Sequence, residues 1–142
     1  MRVLLLTTCF PPDSAAPKEI WANRAMVETA LGNYKEALKS LHKGAALEPD
    51  SPQWPFKAGE VALDSKDSLK ARHYFEKAIS VYPAFAPARL ELGKLVLARG
   101  DTAAAREQLN ELRKIRIPQD SLRMQVWRFS LELGNKEPSE NF

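Results

Sequence analysis

The stretch LGNYKEAL, residues 31–38, contains the pattern that decides the fold. A glycine, an aromatic residue and an alanine follow one another at intervals that suit a tight turn between two helices. The pattern returns with a fixed step, which is typical of stacked supersecondary units. Small and large residues both keep this step of 34 positions: Ala37, Ala71 and Ala105, and likewise Leu41, Phe75 and Leu109.

Length and composition limit what the chain can be. Its 142 residues suit one compact domain or one short repeat array, and the 44% hydrophobic and 27% charged residues are ordinary for a globular protein. The net charge of +3 is mild. One cysteine, Cys9, excludes an internal disulfide framework and a multi-cysteine metal site. No apolar run approaches the roughly 20 residues that span a bilayer.

Within each unit, apolar residues recur at helical intervals, and turn residues separate the runs. The pattern predicts three helical hairpins and one further helix. Aspartates at positions 67 and 101 are placed to cap the second helix of their pairs. The predicted helices are about 20–31, 34–48, 52–65, 68–82, 86–99, 102–116 and 120–133, and the last is expected to stop at Gly134.

These residues resemble a known family. A unit with Trp21, Ala25, Gly32, Tyr34, Ala37, Leu41 and Pro49 is similar to a tetratricopeptide repeat, and residues 58–83 and 92–109 carry the same pattern. The resemblance implies an all-α, right-handed α-solenoid of antiparallel helix hairpins. The expected division is an N-terminal arm (1–17), an array (18–134) with units 18–51, 52–85 and 86–119 and a capping helix 120–134, and a tail (135–142).

The first residues stand outside the repeats. MRVLLLTTCFPPDS resembles the first strand of GT-B-type glycosyltransferases, which leaves a fragment of a glycosyltransferase-related protein as an alternative reading. We expect a cytoplasmic location. LTTC also resembles a lipoprotein cleavage box, so a lipoprotein or exported form is the alternative to that location. An extended N-terminal arm, limited by three prolines, is the simplest interpretation.

Known catalytic motifs are missing from the sequence. It contains no glycine-rich phosphate loop, nucleophile elbow or metal-binding helix motif, so we predict no enzyme, cofactor or metal. His42 and His73 are expected on the surface. The segment 113–128 is basic, which leaves a basic helical, nucleic-acid-associated protein as an alternative. An ordinary solvated surface near the end of the array is the simpler interpretation of this segment. Aromatic residues are not interleaved there as a base-stacking platform needs.

The family resemblance implies a protein–protein adaptor or scaffold, with self-association as a further possibility. It binds a partner's peptide or helix in a concave groove lined by the first helix of each pair. Chaperone-binding members hold a carboxylate with five positions that are here Ala22, Met26, Lys57, Pro87 and Glu91, so one cation remains of that clamp. The predicted groove residues are Asn23, Met26, Phe56, Lys57, Glu60, Leu63, Asp64, Leu90, Glu91, Lys94, Leu97, Met124, Arg128 and Leu131.

Six of these residues form pairs seven positions apart, repeated every 34 residues. The pairs are Phe56 with Leu63, Leu90 with Leu97, and Met124 with Leu131. If exposed, they form two apolar rows across the array, which suits an amphipathic helix or an extended apolar segment. The alternative is that they pack between neighbouring helices. Trp127 stands where a repeat has a small residue, which favours a terminal role for the last helix.

Overall fold

The structure, a computed structural model, describes residues 17–136, so the expectations for Cys9 and the rest of residues 1–16, and for 137–142, lie outside it. Every regular element of the described part is a helix, which confirms the all-α prediction. The elements are α1 (Lys18–Ala30), α2 (Tyr34–Leu47), α3 (Gln53–Asp64), α4 (Ser68–Val81), α5 (Ala86–Ala98), α6 (Thr102–Lys114) and α7 (Asp120–Lys136).

The predicted helix boundaries agree with the structure to within two residues for α1 to α6. The prediction for the end of α7 is wrong, because this helix continues through Gly134 to Lys136. The turn at Gly32 has a positive φ and bends the chain back towards α2, whereas Gly134 remains in helical conformation.

The three hairpins share one turn geometry. Gly32 and Gly100 have φ angles of +82° and +87°, and Lys66 takes the same place in the second hairpin with φ +65°. The amide of the next residue then reaches back five positions to a carbonyl of the first helix, at 2.8, 2.9 and 3.0 Å. This bond and the left-handed residue before it are features of a Schellman turn.

Aspartates begin the second helix of two hairpins, as predicted. The side chain of Asp67 accepts a hydrogen bond from the amide of Lys70 at 3.1 Å, and Asp101 accepts one from Ala104 at 3.0 Å. Each carboxylate satisfies an amide that the helix itself leaves without a partner. These caps fix where α4 and α6 start, and therefore which of their faces meets the preceding helix.

Small residues set the distance between paired helices. Ala37, Ala71 and Ala105 are fully buried. A Cβ atom added to Gly59 would lie 2.5 Å from the ring of Phe75, so the glycine leaves the space that this ring fills. The repeated alanines thus have a packing role, as the period indicated.

An ion pair joins the first three helices. The Lys18 ammonium lies 2.6 Å from Glu48 Oε1, and the indole N–H of Trp54 donates to Glu48 Oε2 at 3.0 Å. The hydrogen bond from Lys18, followed by that from Trp54, lowers the pKa of the Glu48 carboxyl. Glu48 therefore ties the start of α1 and the first turn of α3 to the end of α2.

The last helix covers the third hairpin with one side only. Phe129 and Leu133 are buried, Leu122 and Val126 are partly buried against the same core, and α7 contacts both α5 and α6. A Cβ atom added to Gly93 would lie 2.7 Å from the Phe129 ring. Phe129 thus occupies the notch that Gly93 leaves on α5, and α7 closes the core at this end.

Candidate functional site

A groove lies between α1 and α3, the first helices of the first two hairpins. It encloses about 420 Å³. The α1 wall is mainly apolar and the α3 wall is charged, while Ala25, Leu41 and Val61 contribute buried apolar surface. The remaining lining residues are Ala22, Met26, Thr29 and Ala30 on α1, and Lys57, Glu60 and Asp64 on α3.

Carboxylates outnumber ammonium groups on the charged side of this groove. Partial burial raises the pKa of the Glu60 carboxyl, and the charges of Glu91 and Asp64 act in the same direction, whereas Lys57 opposes them. The Lys94 ammonium is occupied by Glu91, at 2.9 Å. The groove therefore places an apolar wall opposite a surface of net negative charge.

The structure brings four of the predicted groove residues together. Met26, Lys57, Glu60 and Asp64 line the groove, and Met26 is 65% exposed. Asn23 is exposed on α1 but does not line it, and the Glu91–Lys94 pair lies on α5. These last three are candidates for contacts beyond the groove itself.

The prediction of two exposed apolar rows is wrong for the middle pair. Leu90 and Leu97 are only 1% and 2% exposed, because α5 has neighbouring helices on two sides. Neither side chain can contact a partner in this structure. The alternative interpretation, packing between helices, is the one that describes them.

Phe56 and Leu63, the first pair of the predicted rows, also pack mainly against other parts of the chain. The Phe56 ring lies 5.8 Å from the ring of Phe75 and 5.4 Å, edge to face, from that of Phe85. Leu63 is partly buried against the same core. Phe56 therefore joins α3 to α4 and to the loop before α5, and it offers only part of its surface to solvent.

The α7 members of the predicted set lie at the other end of the array from the groove. Met124 and Leu131 are exposed, and so is Arg128. They lie on the side of α7 opposite Phe129 and Leu133, by the 3.6-residue period of the helix. The rows are thus interrupted at α5, and these residues form a separate surface.

Sequence reasoning missed the part of the groove near the end of α1. Thr29 and Ala30 line it there, and the Thr29 hydroxyl donates to the carbonyl of Ala25 at 2.7 Å. Their position one turn after Met26 was the available signal. Both were overlooked because the family resemblance implied contacts from the middle of each first helix.

The two histidines are exposed on second helices, as predicted. The His42 ring lies 5.9 Å from that of Tyr74, and their polar atoms are 3.4 Å apart. Among residues 17–136, no group of three or more histidine, cysteine or acidic side chains is arranged to hold a metal ion. No helix in that range is long and apolar enough to cross a membrane.

Comparison with known families now identifies the chain. Tetratricopeptide repeat models match residues 18–51 and 62–116, together more than half of the sequence. The chain belongs to the tetratricopeptide repeat family. No curated protein matches it.

Solved structures of this family share the fold. The Yersinia enterocolitica type III secretion chaperone SycD, in complex with a peptide of the translocator YopD, has a TM-score of 0.71 at 15% identity over 83% of this chain and 90% of SycD. The first TPR of Spaghetti (RPAP3), bound to the HSP90 peptide SRMEEVD, has 0.66 at 15% identity, over 82% and 95%. The TPR2B domain of yeast Sti1, in a pHsp70 complex, has 0.68 at 16% identity, over 83% and 99%.

Proposed function

We propose that the chain is a protein–protein adaptor that binds a peptide or helix of a partner in the groove between α1 and α3. The groove itself carries this proposal, because it is open, has an apolar wall and is lined by charged side chains that can select a ligand. Two structural relatives have bound peptides and a third is in a pHsp70 complex, which supports the same mode of action.

The charge of the groove favours a basic or neutral peptide with apolar side chains. Glu60 and Asp64 outnumber Lys57 on the α3 wall, and Met26 faces them. Only one of the five positions that grip a carboxylate in chaperone-binding relatives is cationic here. We therefore expect SRMEEVD, the acidic peptide bound by Spaghetti, to show no saturable binding to this chain.

The remaining parts of this proposal concern the role and the place of the chain. We infer that the chain is a binding module rather than an enzyme and that it acts in the cytoplasm. We also infer that the array is divided into units 18–51, 52–85 and 86–119 and a capping helix 120–134, with an arm before it and a tail after it. The apolar and charged side chains that line the groove suit peptide recognition. Cell fractionation of the tagged chain tests the location.

The test of the adaptor function pairs a groove variant with a variant of the outer surface. Partners captured by the intact chain are identified, and the affinity of the purified partner is then measured for Met26→Ser with Glu60→Lys. We expect a loss of about ten-fold or more, because the variant removes the exposed apolar side chain of the α1 wall and reverses a charge that favours a basic peptide.

The control carries Leu69→Ser with Glu76→Lys, two exposed residues of α4 that give the same change of charge. It should bind like the parent. Equal affinity of the parent and the groove variant would show that the partner binds elsewhere. Circular dichroism of each variant establishes that the helices are retained.

A further inference from the structure

A pocket lies between the second helices α2 and α4, and buried residues of α3 form its floor. It encloses about 300 Å³. We call it the α2–α4 pocket, and apart from Leu41 it shares no lining residue with the groove between α1 and α3. Its lining residues are Leu41, His42, Ala45 and Ala46 on α2, Trp54, Pro55 and Ala58 on α3, Tyr74, Lys77 and Val81 on α4, and Glu48, Pro49 and Ser51 between α2 and α3.

The α2–α4 pocket exists because small residues line it where the next junction, between α4 and α6, has large ones. A step of 34 residues relates Ala45 to Ile79, Pro55 to Arg89 and Ala58 to Leu92. At the junction of α4 with α6, Leu92 is buried in the core and Ile79 packs against it. The smaller members of the three pairs leave the corresponding space open between α2 and α4.

Trp54 is larger than its equivalent, Ala88, but it does not fill the pocket. A Cβ atom added to Gly44 would overlap the Trp54 ring, so the ring occupies the notch that this glycine leaves on α2. The indole N–H is held by Glu48. The tryptophan is therefore one wall of the pocket.

Arg89 shows which side chain fits at this place in the array. Its Nε donates to the carbonyl of Pro83 at 2.7 Å, and its guanidinium also donates to Gln108 Oε1 at 3.1 Å. The residues 34 positions before these two acceptors are Pro49 and Tyr74, and both line the α2–α4 pocket. The pocket therefore has a carbonyl and a side-chain oxygen at the two positions that correspond to the acceptors of Arg89.

Polar and charged groups surround the mouth of the pocket. The Glu48 carboxylate attracts a cationic ligand, whereas the Lys77 ammonium repels one. Lys77 is exposed, so its flexible stem can carry the ammonium into water. The Tyr74 hydroxyl lies 3.4 Å from His42 Nε2, and its oxygen has two lone pairs, so it can accept a further hydrogen bond.

We propose that the α2–α4 pocket binds an arginine side chain of a partner protein, in the place that Arg89 fills at the next junction. The aliphatic stem packs on Ala45 and Ala58, and the guanidinium donates to the Pro49 carbonyl and the Tyr74 hydroxyl. A guanidinium suits these acceptors better than an ammonium, because its planar fork donates to two separated oxygens at once. The site is separate from the groove between α1 and α3, so it does not rest on the function proposed above.

The indole N–H of Trp54 provides a local signal for the test. The chain has three tryptophans, so a proton–nitrogen correlation spectrum of the full chain contains three indole signals, and Trp54→Phe identifies the one that is needed. The probes are N-acetylarginine amide and N-acetylcitrulline amide, which has nearly the same shape but no charge. Both lack charged main-chain ends, as an arginine inside a protein does.

We expect N-acetylarginine amide to shift the Trp54 signal with a Kd in the millimolar range, and the citrulline probe to bind about five-fold more weakly or less. Tyr74→Phe removes one acceptor and should weaken binding about three-fold or more. Lys77→Gln removes the repelling charge and should strengthen binding about two-fold or more. Lys70→Gln removes the same charge at an exposed position of α4 outside the pocket and should leave binding unchanged.

A matched pair of variants tests whether the probe occupies the place that corresponds to Arg89. Pro55→Arg supplies an arginine from the chain itself and should abolish the shift of the Trp54 signal. Pro55→Ala leaves the pocket open and should retain the shift. Circular dichroism establishes that both variants keep their helices.

Several results would each overturn the proposal. The pocket does not select a guanidinium if the arginine probe causes no shift or if both probes bind equally. Binding that persists in Pro55→Arg would locate the probe elsewhere. A Trp54 signal that moves with the concentration of the free chain would assign the pocket to a second copy, and one that moves in Arg2→Gln without any probe would assign it to the chain's own Arg2. Tighter binding of free arginine than of the capped probe would assign the pocket to the amino acid itself.

Discussion

Lys66 is the residue at which the second hairpin departs from its neighbours. It has a φ of +65°, where the other two hairpins have Gly32 and Gly100. A side chain in this left-handed region costs about 1–2 kcal/mol, and glycine avoids that cost. We therefore expect Lys66→Gly to raise the free energy of unfolding by about 1 kcal/mol, as measured by urea denaturation.

The reverse change at the equivalent turn is the matched control. Gly100→Ala should lower the free energy of unfolding by a comparable amount, although a methyl group there meets no atom within 4 Å. If Lys66→Gly were neutral while Gly100→Ala was destabilising, the Lys66 side chain would make an interaction that offsets the cost of its left-handed backbone conformation.

Residue-scale features were predictable from sequence where they depend on near neighbours only. The caps Asp67 and Asp101 lie within three residues of the amides that they bind, so the local pattern was sufficient. The link from Lys18 through Glu48 to Trp54 was not predicted. It depends on the relative positions of three helices, α1, α2 and α3, and no spacing in the sequence predicts those positions.

At the scale of elements, the 34-residue phase predicts which face of each helix is buried. Ala71 is fully buried on α4, against α3. Ala71→Leu adds three carbon atoms there at little change in helix propensity, so we expect a loss of about 1–3 kcal/mol in the free energy of unfolding. Ala103→Leu, on an exposed position of α6, should have almost no effect. Equal unfolding midpoints for both variants would mean that the phase is wrong.

The 34-residue phase predicts the direction in which a side chain points, but not whether another helix covers that side chain. The positions Leu90 and Met124 are 34 residues apart and face corresponding directions, yet one is buried and the other is exposed. The difference arises from the neighbours of each helix, since α5 lies inside the array and α7 at its end. The groove was therefore predictable in its wall residues Met26, Lys57, Glu60 and Asp64, while the exposure of the apolar pairs was not.

At the scale of the whole molecule, stability depends on the last helix. In a repeat array each unit contacts only its neighbours, so a terminal element protects the core of the unit beside it. Phe129 and Leu133 lie in one buried cluster with Leu109 and Leu112 of α6. Removal of α7 takes away the first two and exposes the second two to solvent.

Deletion of residues 119–142 should therefore destabilise the chain and promote its association. The loss of the buried Phe129 alone is worth about 3–5 kcal/mol, which corresponds to a fall in Tm of about 10 °C or more for a domain of this size. Thermal unfolding by circular dichroism and light scattering after size exclusion measure both effects. Deletion of residues 137–142 is the control, because it leaves the helices α1 to α7 in place. A 119–142 deletion that stayed monomeric with the Tm of this control would show that α7 does not protect the core.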